Sequence, residues 1–297
     1  MNKKFKVIVT ILIITNLIFT FLFFYIYEEY KIEKCRAINI ENNEYNAYVH
    51  FSIDDCINIF CDLNKNQNKY KSIFDNKLLR YLKYLNSEYG CKFSLFVFEN
   101  NDYFDISNCT DKYKEEFEKN SSWLKFGFHA LNSNSNYNND NTEIVKDYNI
   151  VIENLKRIVG EKSITNIIRI EKFLLNEKNA KRLKDNIKEF YLLGADTENR
   201  PDYYLNEEQN MEVFKKEYYY DENLEIEIFN TDFRLENISN KNINKMLCEM
   251  NDKNLIIFTH EWIFDSIKSS ISTKFKIRKI CNYAIKNGYK FDYPYEN

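Results

Sequence analysis

Beyond an apolar N-terminal run, short continuously apolar segments alternate along this chain with longer stretches in which apolar residues recur every three to four positions. The short segments, at 47–53, 92–98, 124–130, 166–170, 190–195, 255–259 and 289–293, predict strands buried on both faces. The longer ones predict helices over about 72–89, 112–119, 143–159, 177–187, 243–250 and 267–286. The first of these carries Ile73, Leu78, Leu79, Leu82, Tyr84 and Leu85 on one side. Gly90, Gly160 and Gly288 follow three of the helices, where a left-handed residue ends the helical path. From Asp202 to Glu236 the texture becomes aromatic and alternating. Tyr218 to Phe229 predicts a hairpin turning at Asp221–Asn223, set into the domain as an insertion, and Asn230–Glu236 reads as a solvated turn after it. Strands alternating with helices imply a parallel sheet covered on both sides. An open doubly wound sheet and a closed or partly closed (β/α) barrel both satisfy that pattern.

The N-terminus follows different rules. Lys3, Lys4 and Lys6 precede an apolar stretch from Val7 to Tyr27, broken only by Thr and Asn, and Glu28-Glu29 follow it. The stretch reaches the roughly 20 residues that span a bilayer. It exceeds the core of a secretory signal and ends without a small-residue cleavage site. The expectation is an uncleaved signal anchor with the remainder of the chain outside the cytoplasm, a single-pass protein of the cell membrane. This divides the chain into a Lys-rich start and anchor at 1–30, a polar linker at 31–46 and one domain at 47–297.

Composition adds little further constraint. Tyr 23 and Phe 24 against Gly 5 and Pro 2 describe a globular chain, and a net charge of -3 with no basic stripe argues against nucleic acid as partner. The seven cysteines permit disulfides in an oxidising compartment, with one left over, and their connectivity cannot be read from the sequence. No Cys-x-x-Cys occurs, so a zinc ribbon has no support.

Chemistry enters through the strand ends. On either architecture, residues at strand C-termini converge on one rim, and here those residues are Asp54, Asp55, His129, Arg169, Glu171, Asp196 and His260. Carboxylate and imidazole together make a site for a divalent first-row metal, zinc in the simplest case. Asp55 and His129 are the expected ligands. Asp54 is then free to take a proton from an attacking water, and His260 to protonate a leaving group. His50, inside the first strand, reads as a hydrogen-bonded core histidine, and Glu261-Trp262 as a wall of the pocket.

These residues resemble the polysaccharide deacetylases, the NodB-homology domains of carbohydrate esterase family four. Phe51-Ser-Ile-Asp54-Asp55 looks like the family's first motif, Phe93–Phe98 its second strand, Phe126-Gly-Phe-His129 the strand with its first metal histidine, and Thr259-His260 its closing motif. The resemblance covers about residues 45–297 and implies a distorted (β/α) barrel of about seven parallel strands. It implies Asp54 as general base, Asp55 and His129 as metal ligands, Arg169 orienting the base, Asp196 tuning the catalytic histidine and His260 as general acid. The implied activity is removal of acetyl groups from an acetylated glycan of the cell envelope. Two departures stand out. His129-Ala-Leu-Asn-Ser133 lacks the family's second histidine, and Arg169-Ile-Glu171-Lys-Phe173 lacks its proline. With three histidines in the chain, either Glu171 supplies the third ligand or the domain is an inactive module that binds glycan or a protein.

Overall fold

The computed structural model describes residues 5, 9–20, 23, 47–197, 200, 202–249 and 254–296. Ten strands are described: β1 Tyr48–Cys56, β2 Phe93–Phe98, β3 Leu124–Ala130, β4 Ile167–Ile168, β5 Tyr191–Leu193, β6 Tyr218–Asp221, β7 Ile226–Phe229, β8 Phe233–Arg234, β9 Leu255–His260 and β10 Lys290–Phe291. The predicted alternation of strand and helix is present from 47 onward. Each predicted strand is found with ends shifted by a few residues at most, and the last helix runs from Ile267 to Lys286.

The central strand is β1. It is almost wholly buried and lies between β2 and β9, in a sheet ordered β3-β2-β1-β9-β8 in which every pair is parallel. β10 joins only the start of β1, at Tyr48 and Val49. A second sheet is ordered β4-β5-β7-β6. The two sheets meet where Thr165 N–H donates to the Phe126 carbonyl at 3.0 Å and Arg169 N–H to that of Phe128 at 3.4 Å. Gly127 permits this seam, because a Cβ there would stand 2.6 Å from the Ile167 carbonyl oxygen. The result is a distorted α/β barrel whose wall is two sheets rather than one continuous ladder.

Two sequence expectations change. The hairpin at 218–229 exists, but β7 pairs in parallel with β5, so it is part of the wall and not an appended insertion. Asn230–Glu236 is not a solvated turn: it holds β8, and Thr231 and Leu235 are fully buried. The reason is the same in both cases. A strand's partners are set by elements distant in sequence: β7 shows its alternation but not that β5 lies on its other side, and β8, with two residues, shows no period at all.

Helix boundaries follow local chemistry where that chemistry is local. Asn76 caps the helix Lys77–Tyr89 by accepting from the N–H groups of Leu78 and Leu79, and Gly90 ends it at φ 78°. The helix Asn58–Lys65 has no such residue; its N-cap is Ile57. Glu261 instead reaches over from the end of β9, and its carboxylate accepts from the N–H groups of Ile57, Asn58 and Ile59 at 2.7 Å each. Glu261 is therefore a buried helix cap rather than a pocket wall, and burial raises its carboxyl to about 7. It ties the exit of β1 to the exit of β9, the two strand ends that carry the acid pair and His260.

Residues 9–20 are helical with exposed apolar side chains. Among the described residues no helix is long and apolar enough to cross a membrane. Most of the flanks of the expected anchor, and the linker at 31–46, lie outside the described residues.

Candidate active site

At the C-terminal end of β1 the strand breaks its own alternation. Its register with β2 shifts between Ile53 and Cys56, and Asp55 adopts φ 59°. Adjacent residues on a regular strand face opposite sides; a bulge with one residue in the left-handed region lets both acids serve the same rim. Aspartate tolerates that conformation better than most non-glycine residues. Asp54 lies directly across from His260 in the β1–β9 ladder, and residues paired in this way point to the same side of a sheet.

Asp55, His129 and Glu171 form a triad whose ligand-type atoms all lie within 4.8 Å of one another. His129 Nε2 is 3.2 Å from Asp55 Oδ1 and 3.1 Å from Glu171 Oε2. Its other nitrogen, Nδ1, faces the Arg169 carbonyl at 2.5 Å. With a proton on Nδ1 that contact fixes the ring and leaves Nε2 to the carboxylates or to a metal. Burial works against the imidazolium, but the hydrogen bonds to Asp55 and Glu171 and the nearby Asp54 outweigh it and push His129 up to about 10. Burial likewise opposes the charged forms of Asp55 and Glu171, yet contact with His129 holds both below the usual carboxylate range.

This donor set fits a divalent cation. One imidazole nitrogen and two carboxylates suit zinc or a similar ion. A third acid, Asp54, is buried beside them with no hydrogen-bond partner for Oδ1. Glu171 Oε1 also pairs with Lys172 Nζ at 3.0 Å, so the fit to a cation rests on the donor types and on the unpartnered Asp54 oxygen rather than on net charge.

Arg169 is fully buried. Its Nη2 donates to Ser52 Oγ at 3.2 Å and to Thr231 Oγ1 at 3.1 Å, and its guanidinium stacks 4.4 Å from the centre of the Phe258 ring. Nη1 stands 3.6 Å from Asp54 Oδ2, an ion pair rather than a hydrogen bond. Burial raises the Asp54 carboxyl and dominates over the lowering by Arg169 and the two histidines.

His260 is held by Glu236. Glu236 Oε1 lies 3.3 Å from its Nδ1 and accepts from its backbone N–H at 2.8 Å and from Thr259 Oγ1 at 2.6 Å. Asp196, expected on this histidine, lies elsewhere: its Oδ2 accepts from Asn237 at 3.2 Å, and its Oδ1 is 3.9 Å from Arg200. The carboxylate beside His260 thus comes from the segment after β8, which the sequence pattern presented as a turn. Its only advance signal was an acid two residues past an Arg in a charged run.

Six of the seven predicted residues line one cavity of about 290 Å³, joined by Arg200, Arg234, Phe258 and Trp262; Asp196 does not. Trp262 is 48% exposed, its ring centre 5.5 Å from that of His260, and its indole N–H donates to Asp55 Oδ2 at 3.1 Å. His50 is the core histidine expected, buried, with Nδ1 3.0 Å from the Asp292 carbonyl and the ring held neutral by burial down to about 3.

The rim at the strand ends of this α/β barrel thus carries a metal-type triad beside a buried carboxylate and a histidine, an arrangement able to hold a divalent ion next to a base and an acid. No protein-family profile matches the sequence. No curated protein matches it either. Solved structures do match. A candidate polysaccharide deacetylase from Mycobacterium smegmatis aligns over 84% of this chain and 87% of its own at 11% identity, with a TM-score of 0.50. The Bc1960 peptidoglycan N-acetylglucosamine deacetylase aligns over 84% and 86% at 14% identity and a TM-score of 0.48. BA3943 from Bacillus anthracis, a family-four pseudoenzyme, aligns over 84% and 64% at 9% identity and a TM-score of 0.41. The fold of this chain is that of the family-four polysaccharide deacetylases, in a divergent sequence.

Proposed function

We propose that this protein is a metal-dependent hydrolase that removes acetyl groups from an acetylated glycan of the cell envelope. The observation that carries the proposal is the convergence of Asp55, His129 and Glu171 on one point, with Asp54 and His260 opposite each other in the ladder beside it. Asp55, His129 and Glu171 would hold a divalent metal, which would supply Lewis-acid polarisation of the acetyl carbonyl and acidify the attacking water. Asp54 takes the water's proton on Oδ1, the oxygen with no other partner, and burial, which raises its carboxyl, makes it a stronger base. Arg169 holds Oδ2 and fixes which oxygen faces the cavity. His260, its Nδ1 committed to Glu236, presents Nε2 to the leaving nitrogen or oxygen. The exposed face of Trp262 offers a surface for a sugar ring. The N-terminal apolar run tethers the domain to the cell membrane on its outer side.

A second reading rests on the replacement of the family's second histidine. The His129–Asp55–Glu171 cluster satisfies its own charges through hydrogen bonds, as a binding module without metal requires. One experiment separates the two. The chain supplemented with zinc or cobalt is expected to retain about one metal per molecule and to release acetate from an acetylated chitooligosaccharide, and Asp54→Asn is expected to abolish the release. No retained metal together with no hydrolysis of any acetylated sugar refutes the enzyme.

A further inference from the structure

Cys91 and Cys281 lie together in the core. Cys91 stands two residues before β2, Cys281 sits on the last helix, and both are fully buried. Their sulfurs are 3.5 Å apart across 190 residues of sequence. Both are free thiols here, and forming a bond of about 2.05 Å needs a further approach of about 1.5 Å by the two sulfurs. Cys248, in contrast, is already disulfide-bonded. We infer that Cys91 and Cys281 form a structural disulfide when the protein folds in an oxidising compartment. The bond ties the last helix to the strand beside β1. It closes residues 91–281 into one covalent loop, fastened at the entry of β2, the end of the strand away from the site.

Oxidation is balanced by thiol–disulfide exchange. The two thiols give up two electrons and two protons to a small-molecule disulfide such as oxidised glutathione, which leaves as two thiols. Neither sulfur has solvent access in the folded barrel. The bond therefore forms as the last helix docks, while the thiols are still accessible, and afterwards resists external reductant. Its stabilisation derives from the long loop it closes in the unfolded chain.

The inference stands apart from the proposed activity and is tested without it. The full-length chain is refolded from the reduced state in a glutathione redox buffer, alkylated and digested without reduction. The expected product is a peptide pair linking Cys91 to Cys281, two hydrogens lighter than the sum of its parts. Melting is expected to fall by on the order of 10 °C in Cys91→Ala. Cys281→Ala and the double variant are expected to fall by the same amount, because removing either sulfur removes the whole bond. Both cysteines found alkylated after oxidative refolding, or losses that add in the double variant as independent packing defects do, overturn the inference.

Discussion

The proton on His129 offers the sharpest test of the metal triad. Burial disfavours the charged imidazole, but the hydrogen bonds from Nε2 to Asp55 and Glu171 outweigh it and push His129 up from its ordinary 6.5 to about 10. Any metal taking Nε2 must displace that proton. At pH 7 the competition weakens apparent affinity by 10 raised to the difference of about three units, roughly a thousandfold or about 4 kcal/mol. Affinity for zinc or cobalt should therefore rise about tenfold per pH unit between pH 7 and 9. An imidazole of ordinary pKa would be only about a quarter protonated at pH 7 and would show almost no slope above it. The direct assay is nitrogen NMR of the metal-free protein, tractable because the chain has three histidines. His129 should titrate near 10, and calorimetric titration with metal should give the matching slope. The linkage has a sign that can be checked independently. A histidine raised by folding stabilises fully below about pH 6.5 and loses that contribution as pH rises through about 10. The metal-free protein should accordingly melt lower at pH 10 than at pH 6.5, and the difference should shrink in Glu171→Gln. A His129 titrating near 6.5, or a metal affinity flat between pH 7 and 9, would refute the reasoning.

Arg169→Ala should cost about 3–5 kcal/mol in denaturant unfolding, since it empties a fully buried site and leaves Asp54 without its counter-charge; a loss under about 1 kcal/mol would mean that the guanidinium is not paired as described. Gly127→Ala should cost about 1–3 kcal/mol by forcing the two sheets apart at their seam, and an unchanged melting temperature would show that the Ile167 carbonyl can move aside. Glu236→Gln should lower kcat about tenfold or more with little change in KM, because Glu236 acts on His260 and not on the sugar; Asp196→Asn should leave kcat within about threefold. The reverse ranking would return the tuning role to Asp196.

Much of the barrel could be read along the chain. A strand buried on both faces must be apolar throughout, and a helix lying over a sheet must repeat its apolar side, so seven strands and most helices carried their own signatures. The same logic located Asp54, Asp55, His129, Arg169, Glu171 and His260, since parallel strands deliver their last residues to one rim. The helix Glu207–Lys216 was legible too, through the Asn206–Gln209 capping box, but the aromatic texture around it concealed the signal.

Other features have no local signature. The helix Asn58–Lys65 is capped by Glu261, about 200 residues away, so nothing in its own sequence marks where it begins. β8 has two residues, too few for any period, and becomes a strand only because β9 offers it hydrogen bonds. Glu236 rather than Asp196 reaches His260 because β8 brings it alongside the end of β9. The sequence by itself determined which residue types stand at the strand ends and which segments are buried. Tertiary structure alone decided which carboxylate meets which imidazole, since a charge–charge contact of about 3 Å depends on how strands pair across the barrel and leaves no pattern between neighbours in the chain.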